Sequence, residues 1–255
     1  MNELVKPHER VDDLQIDGLK IIQNPQGFCF GIDAVLISNF AKVRKKDKVI
    51  DLGTGTGIIP LLVAAKSKES HVSGFEIQSD VADMARRSVA LNGLEERIDI
   101  VEDNINNALN HFGKHTADVV ISNPPYMASG VGEVNPSDYK AICRHEIHCT
   151  LEDIIRTACD LLRVNGQFYM VHRPNRLVDI LSLCRAYKLE PKQIRFVHPF
   201  AGKSPNIVLV QATKGGRPDL KVLEPLIVRN DDRTYTDEIY EIYRQTNIST
   251  FERRE

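Results

Sequence analysis

The stretch Asn123-Pro124-Pro125-Tyr126 closes an apolar run, Ala117-Asp118-Val119-Val120-Ile121-Ser122, and its residue types suit the handling of a planar amine. Two successive prolines fix φ, supply no backbone N–H and drive the preceding residue into an extended conformation, so the segment reads as a turn after a strand. Such a turn leaves main-chain carbonyls and the Asn123 amide oxygen free to accept hydrogen bonds, and an exocyclic NH2 group offers two donors in one plane. Accepting those protons raises the electron density on nitrogen and turns its lone pair toward an electrophile. The flat ring of Tyr126 offers a stacking surface to a base or an amide. With a leaving group as good as a sulfonium, in-line positioning supplies most of the acceleration and no separate strong base is needed. Asn, Pro and Tyr are also ordinary turn residues. What changes the reading is a second feature upstream, Asp51-Leu52-Gly53-Thr54-Gly55-Thr56-Gly57.

That loop follows a short buried strand and precedes an apolar helix, where backbone must approach a ligand closely and side chains would obstruct it. Spacing eliminates two readings: a dinucleotide fingerprint would need glycine where Ile58 stands, and a phosphate loop would need Gly-Lys followed by Ser or Thr. Asp-x-Gly-x-Gly-x-Gly instead resembles the S-adenosylmethionine loop of class I methyltransferases. Acids at later strand ends then fall where such a cofactor wants them. Glu76, 25 residues past Asp51, can accept from both ribose hydroxyls. Asp103 can accept from the adenine amino group, and Asp51 can orient the methionine ammonium directly or through water. Each acid alone reads as surface; three at the carboxyl ends of successive strands lie on the edge where open α/β sheets bind ligands. Asn92 and Asn104 read as capping or turn residues.

The elements that must position these residues alternate strand and helix from about residue 32 to 200, which predicts an α/β fold with a seven-stranded, mainly parallel sheet and helices on both faces. The expected strands are Val49 to Asp51, His71 to Glu76, Ile98 to Glu102, Asp118 to Ser122, Gly166 to His172, Gln193 to His198 and Asn206 to Ala212. The expected helices are Asp33 to Ala41, Ile58 to Ser67, Ser79 to Asn92, Leu151 to Arg163 and Arg176 to Tyr187, with Gly93 and Asn165-Gly166 as stops. A final helix near Thr236 to Gln245 follows a polar linker. A domain over 31–217 is expected, preceded by a segment over 1–30 and followed by an extension over 218–255 packed on the same domain. The longest stretch without an element, Met127 to Thr150, lies beside the candidate site, and a loop of that length is more often functional than not.

Composition bounds the partners. The 255 residues are 42% hydrophobic and 27% charged, ordinary for a folded globular enzyme. No apolar run is long enough to span a membrane and the N-terminal residues lack an apolar segment of secretory type, so a cytoplasmic protein is expected. Five cysteines without a Cys-x-x-Cys pair fit reduced thiols. The cluster Cys143-Arg144-His145-Glu146-Ile147-His148-Cys149 has zinc-type donors but no common zinc spacing, so no metal is expected. A net charge of −2 argues against holding nucleic acid by overall field, yet Lys42 to Lys48 is densely basic, and Arg173, Arg176, Arg185, Lys188, Lys192, Arg195 and Lys203 give the second half scattered cations. A basic face joining Lys42–Lys48 to Arg173, Arg176 and Lys203 beside Asn123 would favour RNA, although a solvated turn before a strand explains Lys42–Lys48 equally well.

With the glycine loop, Glu76, Asp103 and Asn123-Pro124-Pro125-Tyr126 in register, the sequence resembles class I amino-methyltransferases of nucleic acid and protein. Within that group it looks most like bacterial tRNA1(Val) adenine-37 N6-methyltransferases, through Phe28-Cys29-Phe30-Gly31-Ile32-Asp33-Ala34-Val35-Leu36-Ile37, Arg144-His145-Glu146 and Arg173-Pro174-Asn175-Arg176-Leu177. The resemblance implies S-adenosylmethionine as cofactor and a Rossmann-like fold. It implies cofactor contacts for Gly53, Gly55, Gly57, Glu76 and Asp103, and target-amine contacts for Asn123, Pro124, Pro125 and Tyr126, with Asn123 also bordering the cofactor. The segment Gly31 to Asp33 would supply a wall of the cofactor pocket. It further implies methyl transfer to the N6 amine of an adenine in tRNA, without a membrane or an obligate protein partner. The single-stranded anticodon loop suits this chemistry, because its base can be splayed into a pocket without breaking a duplex. The tail from Pro218 to Glu255, with Tyr235, Tyr240 and Tyr243, is longer than the proteobacterial branch implies.

Three other readings use the same residues. A protein glutamine N5-methyltransferase would grip a side-chain amide in the same way, but such enzymes carry an N-terminal helical substrate domain and only some 30 residues precede the first helix here. Guanine N2 methylation of ribosomal RNA often has Phe in place of the Tyr. A catalytically silent cofactor-binding or RNA-binding module is the remaining class, and the intact Asn123 and glycine loop speak against it.

Overall fold

The computed structural model describes residues 4–27, 29–126 and 149–244. Phe28, the loop residues after Tyr126, the Cys143 to His148 donors and the Arg144-His145-Glu146 motif lie outside the described residues. Among the described residues no group of three or more His, Cys, Asp or Glu is arranged to hold a metal ion, and no helix is long and apolar enough to cross a membrane.

A hairpin comes first, β1 (Arg10–Asp13) antiparallel to β2 (Lys20–Gln23). Helix α1 (Ile32–Phe40) follows, then β3 (Lys48–Leu52), α2 (Ile58–Lys66), β4 (His71–Glu76), α3 (Ser79–Leu91) and β5 (Ile98–Glu102). A short helix α4 (Ala108–Phe112) leads to β6 (Ala117–Ser122), and α5 (Leu151–Leu161) runs directly into β7 (Leu162–His172). Helix α6 (Leu177–Ala186), β8 (Leu189–Phe200), β9 (Ile207–Lys214), β10 (Lys221–Val222), β11 (Leu226–Arg229) and α7 (Asp237–Arg244) complete the order.

The seven expected strands, β3 to β9, lie in one sheet in the order β8, β9, β7, β6, β3, β4, β5, and two short strands the sequence did not signal, β10 and β11, extend it along the outer edge of β8. Strands β3 to β7 pair in parallel; β9 is antiparallel to both β7 and β8. Strands β3, β4 and β6 are buried on both faces, which explains their largely apolar sequences, whereas the edge strand β5 is partly exposed. Side chains alternate across the sheet: Val49, Val119, Ile121, Tyr169 and Val171 pack under α1 and α2, whereas Ile50, Leu52, Val120, Phe168 and Met170 pack under α5 and α6. Ile239 and Ile242 of α7 join the first of these cores.

Strand order fixes where a ligand can sit. From β3 the chain moves to β4 and β5 on one side, then returns to β6 on the other, and the crevice beyond the carboxyl ends of β3 and β6 is the topological switch point. Register places Asp51 opposite Ile121 and Leu52 opposite Ser122. The Ser122 hydroxyl donates to the Leu52 carbonyl at 2.8 Å, so the glycine loop leaving β3 and the Asn123 turn leaving β6 emerge side by side.

Candidate active site

A cavity of about 870 Å³ opens at this switch point. Its lining includes Gly53 and Gly55, Glu76, the whole of Asn123 to Tyr126, and Gly31 to Asp33 at the start of α1.

The glycine loop is shaped by three left-handed residues, Gly53 (φ 80°), Gly55 (φ 57°) and Gly57 (φ 88°). A Cβ built at Gly53 or Gly55 would meet nothing within 4 Å, so the bare backbone faces open space, whereas at Gly57 it would lie 3.3 Å from the Ala85 Cβ. The loop amides are largely spent inside the protein: Gly53 and Thr54 N–H donate to the Phe75 carbonyl at 3.0 and 2.7 Å, and Gly57 N–H to the Thr54 carbonyl at 3.1 Å. Gly55 N–H donates to Glu76 Oε2 at 3.0 Å. A phosphate site would point such donors at its ligand. Here the loop supplies room, and the neighbouring polar groups are acceptors.

Glu76 is the principal acceptor. It ends β4, is buried, and holds Gln78 N–H at 2.9 Å through Oε1. Burial raises its pKa, and the backbone N–H groups of Gln78 and Gly55 pull it back. Each carboxylate oxygen retains a lone pair for a hydroxyl donor. Asp51 is wholly buried and does not line the cavity, and neither of its carboxyl oxygens has a hydrogen-bond partner among the described residues. Its pKa is pushed up to about 7 by burial; the adjacent Thr54 hydroxyl opposes the shift and Glu76 adds to it. The Thr54 hydroxyl is likewise buried without a partner of ordinary geometry. An adenosyl cofactor with hydroxyls and a cationic end fits this acceptor-rich cradle better than a phosphate does.

Asp103 is turned elsewhere. Its carboxylate accepts from Asn104 N–H, the Asn107 side chain at 2.8 Å and His111 Nε2 at 2.8 Å, and these contacts, His111 first, hold its pKa low. Asn104 and Ile105 line the cavity and Asp103 does not. Asn104 also accepts from Asn106 N–H at 2.9 Å, the turn role the sequence suggested.

On the amine side, the Tyr126 hydroxyl reaches both Asp33 Oδ2, in a very short hydrogen bond, and Asn123 Oδ1 at 2.8 Å. Burial first, then the Asp33 carboxylate, raises the phenol pKa far above its ordinary value, so Tyr126 stays protonated. The ring is held from outside: the Arg173 guanidinium lies 4.6 Å from its centroid, and the His172 ring meets it at 5.3 Å, tilted 65°. His172 is 1% exposed, accepts from Arg173 N–H at Nδ1, and is pushed down to about 4, chiefly by burial, so it stays neutral. Arg173 and Asn175 line the cavity. Their Arg173-Pro174-Asn175 motif was visible in the sequence; that it abuts Tyr126 required the fold. Ile77, Gln78 and Ile154 also line the cavity, without a sequence signal beyond their neighbours.

The expected basic face divides. Lys42 to Asp47 precede β3 and Lys48 opens it, so this run lies at the amino edge of the sheet, a strand length of roughly 13 Å from the cavity. Arg173, Arg176 and the exposed Lys203, in the turn between β8 and β9, lie at the carboxyl edge. Within the carboxyl edge, Arg173 joins the Tyr126 turn to the start of β9, stacking on Tyr126 and donating to the Asn206 carbonyl at 2.9 Å.

Comparison with known proteins agrees with this geometry. The family model described as methyltransferase small domain matches residues 30–181. A tRNA1(Val) (adenine(37)-N6)-methyltransferase of Aeromonas salmonicida is 30% identical over 72% of this chain and 76% of its own. Its namesake from Aeromonas hydrophila is 29% identical over 81% and 85%, and that from Bacteroides thetaiotaomicron 26% over 84% and 88%. Among solved structures, a predicted O-methyltransferase of Agrobacterium tumefaciens superposes with a TM-score of 0.69 at 25% identity, covering 83% of this chain and 95% of that one.

Proposed function

The chain belongs to the methyltransferase small-domain family and, within it, to the tRNA1(Val) adenine-37 N6-methyltransferases; we propose that it transfers a methyl group from S-adenosylmethionine to the exocyclic N6 amine of adenine 37, beside the anticodon of a tRNA. The observation that carries this reading is that the Asn123 to Tyr126 turn and the glycine loop line one cavity. The cofactor supplies an electrophilic methyl group on a sulfonium centre.

The protein's own residues do the rest by placement. Glu76 accepts from ribose hydroxyls, the open backbone at Gly53 and Gly55 admits the cofactor, and Asp51 with Thr54 adds negative potential below it. Asn123 accepts a hydrogen bond from the adenine amine, with a carbonyl of the proline turn taking the second N–H, so the nitrogen lone pair is directed along the transfer path. Tyr126, braced by Asp33, Arg173 and His172, gives the base a fixed stacking surface. Asp103 supports the adenine-side loop through Asn104 rather than lining the cavity. We assign 31–217 to the catalytic domain, with 218–255 as an extension whose strands continue the sheet at β8. The same reading makes the protein a cytoplasmic enzyme whose RNA approaches over Arg173 and Lys203.

Incubating the protein and methyl-labelled S-adenosylmethionine with unmodified total tRNA, and separately with a protein extract, tests the assignment. Label in N6-methyladenosine from tRNA is expected. Label in protein glutamine would keep the Asn123 chemistry and replace the substrate.

A further inference from the structure

The contact between Asp33 and Tyr126 carries a consequence for Asn123. A phenol has one proton, yet the Tyr126 hydroxyl stands against two oxygens, Asp33 Oδ2 and Asn123 Oδ1, the latter at 2.8 Å. Both cannot receive it. A carboxylate only accepts and makes the stronger, charge-assisted bond, so the proton goes to Asp33. The phenolic oxygen then presents a lone pair to the Asn123 amide, a contact that is favourable only when the amide is turned by half a revolution to offer its NH2. The two ends of a primary amide are nearly isosteric, so the turn needs no other rearrangement. Asn123 lines the cavity, and turning the NH2 to Tyr126 leaves its carbonyl oxygen for a ligand.

We infer that Asp33 is a positioning residue that acts through the Tyr126 hydroxyl: it fixes the Asn123 amide with NH2 toward the phenol and the carbonyl oxygen toward the target amine. This rests on the reading of Asn123 as the acceptor for that amine. It gives Asp33 a task on the amine side, distinct from the cofactor contact its sequence position suggests. Without the carboxylate the phenol donates to Asn123 instead, and the acceptor needed by the substrate is occupied.

A double-mutant cycle on the full-length protein tests this, with tRNA methylation as the readout. Asp33→Ala, which removes the acceptor, should lower kcat by at least about tenfold while leaving KM for S-adenosylmethionine within about twofold. In a Tyr126→Phe background, which has its own lower kcat, the same substitution should change kcat by less than about twofold, because the group through which Asp33 acts is gone. Equal losses in both backgrounds, or a rise in the cofactor KM in both, would overturn the inference. Proton spectra give a readout independent of turnover: a downfield hydroxyl resonance, lost in Tyr126→Phe, should move upfield in Asp33→Ala, and an unmoved resonance would also overturn it. If the wild-type protein methylates no tRNA, the substrate assignment fails while that resonance still decides whether Asp33 holds Tyr126.

Discussion

The carboxyl and amino edges of the central sheet both carry cations, but they use them differently. At the amino edge Lys45 pairs with Glu69 at 2.9 Å, Arg163 pairs with Asp118, and Lys66 Nζ donates to the carbonyls of Ser38, Asn39 and Ala41 at the end of α1. These contacts tie the ends of strands and helices together. At the carboxyl edge Arg173 lies over a cavity wall, and the Asp51 carboxyl stands buried with both oxygens unsatisfied within the described protein. The difference follows from strand direction: parallel strands end together, so the loops after β3, β4, β5 and β6 converge on one side and those before them on the other. A basic run in the sequence therefore says little about RNA until the edge it occupies is known.

The sharpest way to break this contrast is at the carboxyl edge itself. Asn123→Ala should lower kcat by about 1,000-fold while cofactor affinity, measured by calorimetry, changes only a few-fold. Turnover near the wild-type rate would remove Asn123 from the chemistry. Asp51 offers a test through pH. Its folded pKa, raised to about 7 from an ordinary carboxyl value of 3.8, means that the folded state binds the proton more tightly than the unfolded state. The stability it contributes is fully present below about pH 4 and is lost as pH rises through 7, a change on the order of a few kcal/mol. Asp51→Asn should flatten that segment of the stability–pH curve of the cofactor-free protein, read by denaturant unfolding; an unaltered slope would mean that Asp51 is already ionised when folded.

Glu76→Ala should weaken cofactor binding by about tenfold to hundredfold, the loss of one well-placed buried acceptor. The smallest effects separate the two edges directly. Lys203→Glu should raise KM for tRNA a few-fold and reduce the salt slope of binding by about one unit. The paired substitution Lys45→Glu, Lys46→Glu should leave both within about twofold; the reverse pattern would place the RNA on the amino edge.

Much of this was legible in the sequence because the signals were local. Continuous apolar runs marked the buried parallel strands, and Gly57 and Gly93 marked helix ends to within a residue or two; Asn165-Gly166, expected to stop a helix, instead lies inside β7, because α5 already ends at Leu161 and the chain pairs with β6 from Leu162 onward. The β1–β2 hairpin was not legible: Arg-Val-Asp-Asp has no strand pattern, and it is held by distant partners such as Ser88, which accepts from Ile22 N–H, and Asn92, which bonds Lys20. Strands β10 and β11 likewise exist because β8 offers them an edge. At the site, residue type and spacing singled out Asn123, Tyr126, Glu76, Gly53 and Gly55, which line one cavity, together with Gly57 and Asp51, which do not line it. They could not tell that Asp103 turns toward His111 or that Asp33 meets Tyr126, since side-chain direction at a loop is set by tertiary contacts.

The most direct measurement of the central claim pairs two tRNA transcripts that differ only in having adenine or guanine at position 37, each incubated with the protein and methyl-labelled S-adenosylmethionine. Label is expected in the first transcript as N6-methyladenosine and lost from the second. Equal labelling of both would contradict the assignment of adenine 37 as the methylated base.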